Sequence, residues 1–257
     1  MTKKAFVTGA SRGIGRGIAL KLAAAGYDIA FTYHSEVDEA DTLKTMIESL
    51  GQKAFYYQAS FSHKDVSIEI TKKAIDDLDG LDVLVCNAGK TKFTSIQSLD
   101  IDDMDFIYHL NYQSYLIQTH IAINHMIKHQ TKGRIIYITS TRGIRAYPND
   151  VIYGSLKAAL NRAVESLALE LAPYDITVNA VAPGATAVRG DLSDEGLRQG
   201  HIPSIIPLKR RGHPDDVAGL VSYLVSDDAS YITGETIKVD GGLILYGPDE
   251  KFKGGAF

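Results

Sequence analysis

The sequence predicts an α/β fold, a single domain with an open, doubly wound parallel sheet of about seven strands and helices on both faces. Short apolar runs alternate along the chain with longer amphipathic stretches, which is the pattern of repeated βαβ units. The chain has 257 residues, of which 45% are hydrophobic and 23% charged, so it can bury a sizeable core. No linker or short-period repeat divides the sequence. We therefore expect one domain over residues 1–257.

The elements follow from the periodicity of apolar residues in chain order. Strands are predicted at 5–8, 28–33, 53–58, 82–86, 133–139, 177–181 and 236–239. Helices are predicted at 13–25, 36–50, 64–77, 102–128, 151–171 and 214–225. The least regular segment, 185–211, is rich in Gly and Pro and carries charges of both signs. We expect a mobile loop with a short helix there, and it is a candidate lid.

Charge and cysteine content exclude several classes of protein. There are 27 Lys and Arg against 31 Asp and Glu, for a net charge of −4, so no basic surplus exists for a nucleic-acid partner. The single cysteine, Cys86, excludes an intramolecular disulfide and fits a reducing compartment. The sequence has no stretch typical of a signal peptide or a membrane span. These features predict a cytoplasmic protein with no membrane partner.

A glycine-rich turn joins the first predicted strand to the first helix. Residues 8–15 read Thr-Gly-Ala-Ser-Arg-Gly-Ile-Gly. Glycines at such a turn let the backbone approach a pyrophosphate, and the helix N-terminus that follows offers free N–H groups. The alternative is a tight turn without a ligand. Its position after the first strand of a parallel sheet favours nucleotide binding.

Several further motifs occur in a characteristic order along the chain. Residues 86–89 read Cys-Asn-Ala-Gly, Tyr153 and Lys157 form a Tyr-x-x-x-Lys pattern, and Ser140 precedes the tyrosine. Pro183-Gly184 follows the sixth strand, and Asp-Gly-Gly at 240–242 follows the seventh. Together with the glycine turn, these motifs resemble the short-chain dehydrogenase/reductase family over almost the whole chain. The resemblance implies a Rossmann-type fold and a nicotinamide cofactor.

Tyr153 and Lys157 lie four residues apart, so on a helix they share one face. A free phenol has a pKa of about 10, and a nearby ammonium favours the phenolate and lowers that value. On these two residues alone, an inert surface pair is the preferred interpretation. Ser140 favours the functional interpretation because it ends an apolar strand, where its hydroxyl can meet a substrate oxygen.

The resemblance also implies the roles of individual residues. It makes Asn111, Ser140, Tyr153 and Lys157 catalytic, with Asn111 helping to hold a water that passes protons through Lys157, and Lys157 also binding the nicotinamide ribose. Cofactor contacts are expected from Tyr153, Lys157, Gly9, Ser11, Arg12, Gly13, Ile14, Gly15, His34, Ser35, Asn87, Ala88, Gly89, Pro183, Gly184 and Thr186. No metal site is expected: His125 and His129 have helical spacing, but no third ligand is evident nearby.

The predicted function is hydride transfer between a nicotinamide cofactor and a small carbonyl or secondary alcohol, which includes sugars and polyols. NADP(H) is favoured, with NAD(H) as the alternative, because the second strand ends without an acid before Glu36 and Arg12 can pair with a 2′-phosphate. A homotetramer is expected, because helices 102–128 and 151–171 resemble those that pair between subunits in this family.

Two alternatives remain open at this stage. The central motifs are similar to those of 3-oxoacyl-carrier-protein reductases, whereas the C-terminal residues 240–257 are similar to those of glucose and other sugar dehydrogenases. An acidic carrier protein would need a basic patch for docking, and Lys128 with Arg134 would form only a weak one. The other alternative is a non-catalytic, nucleotide-sensing regulatory protein on the same fold.

Overall fold

The computed structural model describes residues 2–245. The strands are β1 (Lys3–Val7), β2 (Tyr27–Tyr33), β3 (Ala54–Gln58), β4 (Val83–Cys86), β5 (Arg134–Ile138), β6 (Thr177–Pro183) and β7 (Thr236–Val239). The α-helices are α1 (Gly13–Ala24), α2 (Val37–Ser49), α3 (Lys64–Leu78), α4 (Ile101–Tyr108), α5 (Ser114–Lys128), α6 (Val151–Leu171), α7 (Asp194–Arg198) and α8 (Pro214–Leu224). Residues 246–257, which carried part of the similarity to sugar dehydrogenases, lie outside the described residues.

The seven strands form one parallel sheet in the order β3-β2-β1-β4-β5-β6-β7. This confirms the predicted doubly wound, Rossmann-type fold. The strand order reverses between β1 and β4, which are hydrogen-bonded neighbours although they are far apart in sequence. A crevice at the carboxyl ends of the strands is expected at such a reversal, and ligands of open α/β sheets bind there.

Alternate residues of each strand enter two different cores, as the twofold period of a strand requires. Val7 and Phe31 pack with α1, α2 and α8 on one face of the sheet. Phe6 and Tyr137 pack with α3, α5 and α6 on the other. Cys86 lies in the second core, fully buried, and its thiol donates to the Gln118 side chain at 3.3 Å. Burial raises the pKa of this thiol, so it behaves as a small apolar residue.

The prediction of one continuous helix over 102–128 is wrong. Helix α4 ends at Tyr108, a π-helical turn covers His109–Gln113, and α5 begins at Ser114. The Ser114 N–H donates to the His109 carbonyl, five residues back. Apolar periodicity did not reveal this turn, because one extra residue shifts the pattern without adding a Gly or Pro. Single π turns are frequently found at functional sites, and this one contains Asn111.

Segment 185–211 contains the short helix α7 and a 3₁₀ turn at Ile202–Ile205. A backbone hydrogen bond from the Leu208 N–H to the Gly241 carbonyl, at 3.2 Å, joins it to the residues after β7. The short helix was expected; mobility of the segment stays a prediction. Within residues 2–245, no helix is both long enough and apolar enough to cross a membrane.

Candidate active site

The predicted site residues gather at one edge of the sheet. The glycine turn follows β1, residues 34–35 follow β2, residues 87–89 follow β4, Ser140 follows β5 and Gly184 follows β6. Parallel strands all end at the same edge. The topology therefore brings together residues that are up to 175 positions apart in the sequence, from Gly9 to Gly184.

The glycine turn is braced by hydrogen bonds from its neighbours. The Asn87 amide donates to the carbonyls of Thr8 and Gly9, at 2.9 Å each. The Thr8 hydroxyl accepts from the backbone N–H groups of Asn87 and Ala88, at 2.9 and 3.0 Å. The Gly9 N–H donates to the Thr32 hydroxyl at 2.8 Å. These contacts fix the turn against β2 and β4.

Glycine is required in this turn for two reasons. Gly9 and Gly13 have φ values of +66° and +57°, in the left-handed region. Gly15 has ordinary dihedrals but no room: a Cβ there would lie 2.4 Å from the Gly9 carbonyl oxygen and 2.6 Å from the Asn87 amide nitrogen. The turn can therefore present backbone N–H groups at the N-terminus of α1, which is the geometry that binds a pyrophosphate.

Ser140 and Tyr153 meet where the turn after β5 packs on α6. Gly143 permits the close approach, because a Cβ on it would lie 2.6 Å from the Lys157 carbonyl carbon. The Ser140 hydroxyl accepts from the Arg142 N–H at 3.2 Å. It also hydrogen-bonds the Tyr153 phenol, which lowers the pKa of that phenol.

Burial nevertheless dominates the electrostatics of Tyr153. Its side chain is buried, and desolvation raises the pKa of Tyr153 to about 12, with Ser140 opposing that rise. Lys157, whose Nζ lies 5.7 Å from the ring centroid, does not offset this rise in the pKa of Tyr153. Tyr153 is therefore a protonated phenol at neutral pH, which makes it a proton donor.

Lys157 is fully enclosed. Its Nζ donates to the Ile138 carbonyl at 2.9 Å and lies 5.1 Å from the centroid of the Tyr115 ring. Desolvation lowers the pKa of Lys157 to about 7, since a buried ammonium loses its hydration. At neutral pH both protonation states of Lys157 are populated. Such a group can accept and release a proton.

Asn111 is fully buried in the π turn, and its side chain contacts the loop after β4. Its amide nitrogen donates to the Lys90 carbonyl at 3.0 Å and to the Ile107 carbonyl at 3.2 Å. Its amide oxygen accepts from the Lys90 N–H at 3.2 Å. The side chain therefore ties the helix to the loop that carries Asn87–Gly89.

The residues after β2 form the outer end of the crevice. His34 and Ser35 are exposed. Glu36 turns back toward the glycine turn, where its carboxylate lies 3.3 Å from the Arg12 Nε. Burial raises the pKa of Glu36, but Arg12 and hydrogen bonds from Ser35 outweigh this and lower it. Sequence reasoning set Glu36 aside as lying beyond the strand, whereas the fold brings it to Arg12.

Comparison with known proteins gives the family. The family model described as Enoyl-(Acyl carrier protein) reductase matches residues 9–244. The chain is 38% identical to 3-oxoacyl-acyl-carrier-protein reductase FabG of Staphylococcus epidermidis, over 95% of this chain and all of that one. It is also 38% identical to the 3-oxoacyl-acyl-carrier-protein reductase of Synechocystis sp., over 94% and 97% of the two chains. The chain belongs to the short-chain dehydrogenase/reductase family.

Solved structures agree. The acetoin dehydrogenase YohF from Salmonella typhimurium matches with a TM-score of 0.92 and 36% identity, over 97% of this chain and 99% of that one. The acetoin dehydrogenase from Enterobacter cloacae matches equally well, with a TM-score of 0.92 and 36% identity over 98% and 99% of the chains. This member of the short-chain dehydrogenase/reductase family is therefore an NAD(P)-dependent oxidoreductase that acts on carbonyl or CH–OH groups.

The crevice of this short-chain dehydrogenase/reductase fits a dinucleotide. The tightly packed glycine turn places the N-terminus of α1, with its free backbone N–H groups, at the carboxyl ends of the strands. Beyond Gly184, the Thr186 hydroxyl is buried and has no hydrogen-bond partner among the described residues. A buried polar atom of this kind needs a partner, and the carboxamide of a nicotinamide would supply one.

Sequence reasoning missed a polar and aromatic group beside Tyr153. The Arg142 Nη1 lies 3.0 Å from an Asp150 carboxylate oxygen, and the Asp150 side chain is only 2% exposed. The guanidinium also lies 4.2 Å from the Phe93 ring centroid and 4.6 Å from that of Tyr147. Phe93 in turn meets the Tyr153 ring edge-on, with centroids 6.2 Å apart. The signal was Asp150 itself, an acidic residue at the N-cap of α6, three residues before Tyr153.

The two histidines considered as metal ligands stack on each other, with ring centroids 4.3 Å apart. Burial, and then the neighbouring His129, lower the pKa of His125. In the described part of the chain, no three His, Cys, Asp or Glu side chains come together as a metal site would require.

Proposed function

We propose that this enzyme interconverts a small free carbonyl compound and its secondary alcohol at Asn111, Ser140, Tyr153 and Lys157, with NADP(H) as the preferred cofactor. The observation that carries the proposal is the buried Tyr153 phenol, hydrogen-bonded to Ser140 and close to the buried Lys157. A nicotinamide bound in the crevice supplies or accepts the hydride.

The chain's own residues handle the proton. In the reducing direction Ser140 holds the carbonyl oxygen, and Tyr153 donates its Oη proton to that oxygen as negative charge develops. Lys157 is half protonated near pH 7 and can return a proton to the phenolate. Asn111 acts as a positioning residue, because it fixes α4 and α5 against the loop that braces the glycine turn.

The experiment that tests this assignment is Tyr153→Phe, with Tyr174→Phe as the matched control. Tyr174 is half exposed and precedes the first residue of β6, at the opposite edge of the sheet from the carboxyl ends of the strands, so the same substitution there changes only a surface side chain. We expect Tyr153→Phe to bind cofactor normally and to lose turnover by a factor of about 10²–10⁴, while the control keeps both. Near-wild-type turnover in Tyr153→Phe would refute the role of the phenol.

Lys157→Ala separates the two functions proposed for the ammonium. We expect it to weaken cofactor binding and to lower turnover together, since one group serves both the ribose and the phenol. Titration of cofactor fluorescence measures the first effect, and steady-state kinetics the second. Loss of only one of the two would contradict the shared role.

A small free substrate is favoured over one carried on acyl carrier protein. Arg134, a candidate for a basic docking patch, is buried, and its guanidinium donates to the carbonyls of Lys132 and Gly133. Lys92, Arg142 and Arg210 each pair with a carboxylate of the same chain. These pairs weaken the positive field that an acidic carrier would need. The likeness to acetoin dehydrogenases, which are named for a small hydroxyketone, supports the same choice.

The second candidate is a 3-oxoacyl-carrier-protein reductase, favoured by the relatives that are 38% identical over nearly the whole chain. The deciding experiment compares kcat/KM for a 3-oxoacyl thioester on acyl carrier protein with values for free ketones, aldehydes and aldoses. A strong advantage for the carried substrate that disappears at high salt would overturn our choice.

Preference for NADP(H) rests on Arg12, whose guanidinium lies at the outer end of the crevice. A 2′-phosphate can replace Glu36 as its partner, because a dianion attracts a guanidinium more strongly than a carboxylate does. Arg12→Ala should therefore reduce the ratio of NADP(H) to NAD(H) affinity. An unchanged ratio would refute this account.

We also propose the homotetramer expected from the sequence. A groove of about 330 Å³ between α4 and α6 is lined largely by apolar side chains, among them Met104, Tyr108 and Leu156. Ile96 and Val151, which also line it, are 66% and 49% exposed. Such faces are typical of subunit interfaces. Light scattering at micromolar concentration should report an oligomer, and a monomer would contradict the proposal.

A further inference from the structure

Arg189 connects segment 185–211 to the outer end of the crevice. Its Nη2 lies 3.0 Å from Oε1 of Glu36, 153 positions earlier in the chain. The same oxygen lies 3.3 Å from the Arg12 Nε. Two guanidiniums, one from the glycine turn and one from the candidate lid, therefore share a single carboxylate oxygen.

The neighbouring residue, Val188, also contacts the glycine turn. The position that a Cβ on Gly13 would take lies 2.9 Å from the Cβ of Val188. Val188 thus packs directly on the glycine turn, and Arg189 reaches from there to the end of β2. We call residues 188–189 the strap.

The charges of this cluster suit a phosphate. Arg12 and Arg189 carry two positive charges, and Glu36 carries one negative charge. The side chains of the two arginines are 39% and 64% exposed, so a ligand can reach them. Guanidiniums recognise phosphate through two parallel N–H groups, and a pair of them can hold a dianion from both sides. In the present arrangement the Glu36 carboxylate takes the position of that anion.

We propose that Arg189 is a second specificity residue for the 2′-phosphate of NADP(H), which replaces Glu36 as the shared partner of Arg12 and Arg189. This inference rests on the proposed NADP(H) preference. The phosphate then fastens the strap across the crevice, so that the choice of cofactor and the position of segment 185–211 are coupled. A cofactor that lacks the phosphate leaves the strap held by Glu36 alone.

The test is direct binding, measured by isothermal titration with NADP⁺, NAD⁺, 2′,5′-ADP and 5′-AMP, none of which requires a known substrate. The variant is Arg189→Gln, and the matched control is Arg198→Gln. Arg198 belongs to the same segment and also pairs with a carboxylate, but its partner Asp194 lies within the same short helix, α7, and not at the end of β2.

We expect Arg189→Gln to weaken NADP⁺ and 2′,5′-ADP about 5–10-fold, which corresponds to about 1–1.4 kcal/mol. The affinities for NAD⁺ and 5′-AMP should change less than about twofold. Glu36→Gln should strengthen NADP⁺ binding, since a competing anion is removed. Arg198→Gln should change none of these affinities.

A second readout follows the strap itself. Thermolysin cleaves at apolar residues, which the Arg→Gln change leaves intact. NADP⁺ should protect segment 185–211 from cleavage in the wild type and in Arg198→Gln, but not in Arg189→Gln.

The outcomes separate this inference from the function on which it rests. If the wild type prefers NADP⁺ and loses that preference in Arg12→Ala but keeps it in Arg189→Gln, the role of Arg189 is refuted while the NADP(H) preference stands. Equal weakening of NADP⁺ and NAD⁺ in Arg189→Gln would assign the residue to the pyrophosphate and also refute it. A wild type that binds NAD⁺ more tightly would overturn both proposals.

Discussion

Replacement of Gly15 by alanine tests whether the glycine turn is as tightly packed as the structure indicates. The added methyl carbon would lie 2.4 Å from the Gly9 carbonyl oxygen, 2.6 Å from the Asn87 amide nitrogen and 2.8 Å from the Ala10 Cα. None of these atoms can move freely, because two are backbone and the Asn87 amide is itself held by two hydrogen bonds. The turn must therefore shift as a unit.

The size of the effect follows from two opposing contributions. Overpacking a tight site destabilises the folded state by about 1–3 kcal/mol. Alanine is a better helix former than glycine, and α1 begins at Gly13, so up to about 1 kcal/mol is recovered. With the middle of each range, about 2 and about 0.5 kcal/mol, the net loss is about 1.5 kcal/mol, or roughly 3–6 °C in Tm for a chain of this length. Cofactor affinity should fall as well, since the shifted turn is the proposed binding site of the cofactor phosphates.

Gly219→Ala is the matched control for this experiment. Gly219 lies inside α8, and a Cβ there would meet nothing within 4 Å. The same substitution should therefore raise stability, by about 0.5–1 kcal/mol. Thermal unfolding measured by calorimetry and a cofactor titration on each variant give the comparison. A Gly15→Ala protein with wild-type Tm and wild-type cofactor affinity would show that the turn can accommodate a methyl group. The tight packing of Gly15 would then not be needed for stability or for cofactor binding.

Lys157→Met should be more stable than the wild type at pH 7, because it removes a buried ammonium. Burial lowers the pKa of Lys157 to about 7, so between that pH and about 10.4 the unfolded wild-type chain binds a proton that the folded chain does not. The wild type therefore gains stability as the pH rises through this window, and the difference in denaturant midpoint between the two proteins should narrow. A difference in midpoint that does not change with pH would contradict the lowered pKa of Lys157. Asp150→Asn should move the pH profile of alcohol oxidation to lower pH, because the Asp150 charge raises the pKa of Tyr153; a shift to higher pH would refute that coupling. Asn111→Ala leaves the Lys90 N–H and carbonyl without their partner and should lower the free energy of unfolding by about 1–3 kcal/mol. An unchanged free energy of unfolding would show that the contact between Asn111 and the loop after β4 does not stabilise the fold.

The sheet could be predicted from the sequence because its signal is local. Runs such as Ala-Phe-Val at 5–7 place alternate side chains in two cores, and both cores are apolar. The strand positions agree with the structure to within one or two residues. The gathering of Ser140, Tyr153 and Lys157 also follows, since parallel strands end at one edge and residues four apart share a helical face.

The remaining features depend on contacts between distant residues. The pairing of Arg189 with Glu36 spans 153 positions, and the brace from Asn87 to the glycine turn spans 78 or 79. Neither pair has a local pattern that would indicate it. The pKa of Tyr153 was misjudged for the same reason: spacing placed an ammonium nearby, but only the fold shows how completely the phenol is buried.

The π turn at His109–Gln113 holds one residue more than a regular α-helical turn would. Each residue of an α-helix adds a rotation of about 100°, so a regular helix over the same residues would turn α5 by roughly that angle. The buried stripe of α5 would then leave the core, and that stripe contains Tyr115, Gln118, Thr119, Ala122 and Met126. The wider turn takes up the extra residue and keeps this stripe in place. Deleting one residue here should therefore preserve the packing of α5 but move Asn111 out of the candidate active site, so that a single length change would separate the fold from the chemistry.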